Sequence, residues 1–164
     1  MPSVRSVLSV LHSTCLGADA AARARAQRAA GAGGLEEVVA VMRAHAQDRS
    51  LQAVSAMALI AVCKGDDAAA RARKQRASDA GALEAVVEAM RAHPQAGMQT
   101  FGCEALLSVC GGGASAAARA RRQRAAQAGG RTVAVAAMQA HPGDGDVQRQ
   151  GQLVLNALPV EHLR

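Results

Sequence analysis

The chain has 164 residues, half of them hydrophobic, yet only one, Phe101, is aromatic. That length suits a single ordinary domain, and its core has to be built from Ala, Val, Leu and Met. A net charge of +6 and a pI of about 10.1 direct the chain toward acidic partners, and no apolar run reaches the roughly 18 residues of a membrane-spanning helix.

In chain order, residues 3–15 read as a single helix. Arg5, the serines and the absence of any acid before Asp19 resemble an organelle transit segment. Its phase favours a structural role, because Leu11 and Cys15 stand 48 residues before Leu59 and Cys63. Val7, Val10 and Leu11 face the next helices of the chain, while Val4 and Leu8 lie partly around the other side. An uncovered apolar strip of this kind marks a contact with another chain, either a second copy end to end or a larger assembly.

Three longer units come next, at 19–63, 67–110 and 115–158, and all of 1–164 reads as one repeat domain. Arg23 to His45, Arg71 to His93 and Arg119 to His141 are copies of one stretch, each 48 residues from the next. A fixed period in this range marks a stacked repeat array. Each unit divides into three helices. Asp19, Asp67 and Ser115 stand where a side-chain oxygen would cap the first helix, and Gly33, Gly81 and Gly129 close it. The second helix carries Leu35, Val38, Val39 and Met42, or Leu83, Val86, Val87 and Met90. That i, i+3, i+4, i+7 spacing gives one buried stripe. His45, His93 and His141 end it. Asp48 and Asp144 are placed to cap the third helix. Its stripe runs through Met98, Gly102, Ala105, Leu106, Val109 and Cys110 in the middle unit. In the last unit Arg131 replaces the leucine that opens the earlier second helices, as expected of a terminal unit with a polar outer face.

Two stretches carry a family resemblance. Asp79-Ala-Gly-Ala-Leu-Glu-Ala-Val-Val-Glu-Ala-Met precedes His93-Pro94, and Gln99-Thr-Phe-Gly-Cys-Glu-Ala-Leu comes after it. Together they resemble the armadillo repeat, with a unit lengthened in its Ala/Arg-rich first helix. The resemblance implies an all-α, right-handed armadillo-like α-solenoid: three helix triplets preceded by a single helix, with the third helices lining a concave groove. It also implies binding of extended peptides there. The groove positions are Arg5, Ser9, Met57, Thr100, Glu104, Ser108, Arg149 and Leu153. The family's Trp positions are Ser9, Met57, Glu104 and Leu153 here, so the ladder that clamps a peptide backbone is absent.

The strongest surface signal is basic. First-helix side chains account for 11 of the 19 Lys and Arg residues, and Arg25, Arg28, Arg73, Arg76, Arg121 and Arg124 form the expected ladder. Bidentate arginines suit carboxylates or phosphates; the competing reading is a solvated helix face. A nucleic-acid partner would be held through phosphate, since one aromatic residue offers no base-stacking platform. The repeat histidines, about 8–10 Å apart on neighbouring helices, are too far apart to share zinc ligands near 2 Å. Cys15, Cys63, Cys103 and Cys110 read as small buried hydrophobes in a reducing compartment, the cytoplasm. No nucleophile elbow, zinc motif or dinucleotide fingerprint occurs, and Gly111-Gly112-Gly113 lacks the Lys of a phosphate loop. The expected function is a non-catalytic protein-interaction scaffold, free of cofactors, that binds an acidic or extended protein segment. The alternative is a phosphate-directed binder of RNA or another polyanion.

Overall fold

The computed structural model describes residues 13, 17 and 19–160. The N-terminal expectations that rest on Val4, Arg5, Leu8, Ser9 and Cys15 lie outside the described residues. Among those described there are nine helices and no strand. They fall into three triplets. The first is α1 (Ala20–Gly31), α2 (Gly34–Ala44) and α3 (Arg49–Val62); the second is α4 (Ala68–Asp79), α5 (Ala82–Ala92) and α6 (Ala96–Cys110); the third is α7 (Ala116–Gln127), α8 (Gly130–Ala140) and α9 (Gly145–Ala157).

Helix boundaries follow from local chemistry. Asp19 and Asp67 carboxylates accept from the amides of Ala22 and Ala70 at 2.7 Å, and Ser115 Oγ accepts from Ala118 at 3.2 Å. Asp48 and Asp144 do the same for Leu51 and Val147, both at 3.0 Å. Each carboxylate or hydroxyl satisfies an amide that has no partner within its helix. The first and second helices join through a glycine in the left-handed region, with φ of 85° at Gly33, 91° at Gly81 and 96° at Gly129.

Each triplet buries the stripes set by its sequence. Leu35, Leu59, Leu83 and Leu106 are fully buried, as are Val38, Val86 and Val109, and each such side chain contributes about 1.5–3 kcal/mol relative to exposure. Between triplets the packing is like on like: α3 against α6 and α6 against α9, α2 against α5 and α5 against α8, α1 against α4 and α4 against α7. The chain is therefore a stack in which each triplet packs chiefly on its sequence neighbour. In the last triplet, Val135 is 40 % exposed while its counterparts Val39 and Val87 are buried at 1 % and 0 %. At the inner junctions the next triplet covers that position.

The alanine-rich composition permits close approach, and glycine carries it furthest. A Cβ on Gly102 would lie 2.4 Å from Met90 Cγ, and one on Gly151 would lie 2.6 Å from Met138 Cγ. The first triplet has Ser55 here, fully buried, with a hydroxyl that has no hydrogen-bond partner among the described residues. Gly102→Leu therefore overpacks the α5–α6 contact and is expected to destabilise the fold by about 1–3 kcal/mol. Thermal unfolding of this variant checks it, and a melting midpoint equal to wild type contradicts the packing.

Candidate functional site

The arginines of the first helices divide by helical position. On α4, Ala70, Arg73, Lys74 and Ala77 share the i, i+3, i+4, i+7 face that packs inward, and all four are buried. Arg71 points elsewhere because one residue turns the helix by about 100°. Arg73 and Arg121, expected on the outer ladder, are each only 3 % exposed. Arg73 donates from Nε to Val62 O at 2.7 Å, from Nη2 to Lys64 O at 3.2 Å and from Nη1 to Gln27 Oε1 at 2.9 Å. Arg121 repeats the pattern one triplet later, to Val109 O at 2.8 Å, Gly111 O at 2.6 Å and Gln75 Oε1 at 3.0 Å. The last carbonyls of an α-helix have no partner within it, and the helix dipole draws cations to that end. A guanidinium fork from the next triplet meets both requirements. Burial holds Arg121 below the usual arginine pKa range.

Arg76 and Arg124 also join triplets. Each donates from Nε, at 2.5 Å, to a carboxylate on the preceding second helix: Arg76 to Glu36 Oε1 and Arg124 to Glu84 Oε1. The bond from Arg76 holds the Glu36 carboxyl below its ordinary pKa. These side chains are 40–46 % exposed, so each pair contributes at most about 1 kcal/mol. In the first triplet Arg25 is half-buried and Arg28 exposed. The row that does face outward is Arg23, Arg71 and Arg119, all exposed, with Lys64 beside it. Arg119 and the half-buried Arg122 donate to Ala114 O and Gly113 O.

The groove residues fall on the three adjacent third helices. Met57, Thr100, Glu104 and Ser108 are half-buried, and Arg149 and Leu153 are exposed. Glu104 accepts from Gln150 Nε2 across the α6–α9 junction at 3.2 Å, and Arg149 pairs with Asp146.

Several polar residues proved structural in ways that their spacing alone did not announce. Gln52, Gln99 and Gln148 each clasp the end of the preceding helix with one amide. Gln99 Nε2 donates to Met90 O at 2.9 Å and to His93 O at 2.8 Å, and the other two repeat this on Met42 and His45, and on Met138 and His141. His93 Nε2 reaches Ala46 O at 2.8 Å and His141 Nε2 reaches Pro94 O at 2.6 Å. A carbonyl only accepts, so both rings carry the proton on Nε2. Arg131 donates from Nη1 to Leu155 O at 2.5 Å and Leu158 O at 2.8 Å. The last triplet thus closes its third helix with its own arginine, where the inner junctions use the next triplet's.

Two clefts recur at equivalent places between successive second helices. The first, about 340 Å³, has Met42, Arg43, Glu84 and Glu88 in its walls; the second, about 320 Å³, has Met90, Arg91, Val133 and Ala136. Burial pushes the thiols of Cys63, Cys103 and Cys110 up to about 12, which leaves them protonated and poorly nucleophilic at neutral pH. Among the described residues no group of three or more His, Cys, Asp or Glu is placed to hold a metal ion, and no helix is long and apolar enough to cross a membrane. No protein-family model, curated protein or solved structure matches the sequence.

The buried and outward arginines should separate experimentally. Arg121→Met leaves two helix-end carbonyls and the Gln75 amide oxygen without their donor, and is expected to cost about 3 kcal/mol or more. Arg121→Lys should rescue little of this, because an ammonium lacks the guanidinium's fork. Arg119→Gln should stay within about 0.5 kcal/mol of wild type. Urea unfolding of the three variants measures this, and equal midpoints for Arg121→Met and Arg119→Gln would contradict the division.

Proposed function

We propose that the chain is a non-catalytic protein-interaction scaffold, built as an armadillo-like right-handed solenoid, that binds an acidic, extended segment of a protein partner. The observation that carries this reading is the exposed row Arg23, Arg71 and Arg119, one arginine per triplet on α1, α4 and α7. Neighbouring packed helices lie about 8–10 Å apart, and an extended chain advances about 3.3 Å per residue. A segment running along the stack would therefore bring roughly every third residue to the row. The like-on-like packing of the triplets and the Gln99-Thr-Phe-Gly-Cys stretch support the solenoid. The buried, protonated thiols support a non-catalytic role.

A second reading, a phosphate-directed RNA or polyanion binder, draws on the same row. Phe101, the single aromatic residue, is half-buried on α6, so nothing in the row would stack a base, and such binding would fall steeply with salt. One set of variants serves both readings. Crosslinking capture of a partner is expected to be lost with Arg23→Glu, Arg71→Glu and Arg119→Glu combined and kept with Met57→Glu and Leu153→Glu in the groove. Capture that survives the triple variant overturns the role of the row. Retention on heparin that collapses with salt, with no protein captured, favours the polyanion reading instead.

A further inference from the structure

We infer that the cleft between the first two triplets, at the loop edge of the stack, is a binding site for a single phosphoryl group. It encloses about 180 Å³ and is lined by Arg23, Lys64 and Arg73 together with Gly17 and Gly65, with no carboxylate among the described residues that line it. Arg73 is held rigidly. It is 3 % exposed and commits three N–H donors to Val62, Lys64 and Gln27, which leaves two of its five for a ligand. Arg23 and Lys64 are exposed, and neither side chain has a hydrogen-bonding or ion-pair partner among the described residues. Three cations thus face one small space, two with their charge uncompensated. An oxyanion with three or four acceptor oxygens matches that donor set through charge-assisted bonds. The small volume and the alanines behind it, Ala22, Ala26 and Ala61, suit the phosphoryl group rather than a nucleotide base, which would need an aromatic face.

The next junction shows what closes such a site. There Lys74 stands in place of Ala26, and Gly111 in place of Lys64. Lys74 is 3 % exposed, and its Nζ lies 3.0 Å from where a Cβ of Gly111 would be. It already holds the Asp66 carboxylate at 3.3 Å. Arg71 and Arg121 crowd Gly112 from the other side. The same number of cations is present, but the ammonium fills the space and has its own counter-ion. One site per chain is therefore expected, at the first junction.

This inference does not rest on the scaffold reading, since phosphate itself is the probe. The full chain is titrated calorimetrically with inorganic phosphate, and separately with O-phosphoserine, in chloride buffer at fixed ionic strength. Saturable binding of one equivalent is expected. Arg23→Gln with Lys64→Gln should weaken it at least about ten-fold, while Arg28→Gln, a basic residue outside the cleft, should leave it unchanged. Both cleft substitutions are at exposed positions, and circular dichroism verifies that the variants keep their helicity. Tighter binding of O-phosphoserine identifies a phosphorylated side chain as the source, and tighter binding of inorganic phosphate identifies the free ion. The absence of saturable binding, or binding undiminished in the double variant, overturns the site.

Discussion

Each third helix ends in carbonyl groups that nothing in that helix can reach, and the stack depends on how they are met. An alanine-rich core lets helices approach closely but buries little area per residue, so it leaves the junctions weakly specified. The guanidinium of Arg73 or Arg121 supplies the specification. It binds two carbonyls and a glutamine of the preceding triplet at once, which fixes the triplet's position and rotation together. A buried charge would ordinarily be costly. Here the negative end of a helix and three acceptor oxygens surround it.

The same solution recurs at smaller scale. Gln52, Gln99 and Gln148 satisfy the ends of the second helices, and His93 and His141 tie each turn to the one before. Of the eight buried polar side chains among the described residues, five (Gln52, Arg73, His93, Gln99 and Arg121) are directed at backbone carbonyls near a helix end. The hydrophobic stripes decide which faces meet, while the polar groups decide at what offset. Outside this network Arg23, Arg71 and Lys64 remain exposed, and they are the groups on which the proposed uses of the surface rest.

Much of this was legible in the sequence. The 3.6-residue stripes located the core, the aspartates and Ser115 marked helix starts, and the period set the triplets. The basic ladder was legible only as composition. The charge of Arg73 assigns it to the surface, although Ala70, Arg73, Lys74 and Ala77 carry the spacing of a buried stripe. Periodicity read without regard to charge would have turned Arg73 and Arg121 inward and left Arg23, Arg71 and Arg119 outside. The histidine and glutamine roles were less accessible. Each depends on a carbonyl in another helix or turn, and a carbonyl carries no sequence signature. Arg131 was legible as a departure from the repeat, but its target was not.

Arg131 also sets the direction in which such an array can be lengthened. The middle triplet holds both halves of each latch: Arg73, Arg76 and His93 reach back, and Gln75, Glu84, Arg91 and the carbonyls of Val109 and Gly111 receive or brace the third triplet. A duplicate of that triplet spliced into the interior would find a complementary face on either side. The same duplicate placed after α9 would meet Thr132 where the earlier triplets offer Glu36 or Glu84, and a Leu158 carbonyl already bound by Arg131. An inserted interior copy would thus keep every latch, whereas a copy packed on α9 would lack the carboxylate partner and would compete with Arg131 for the Leu158 carbonyl.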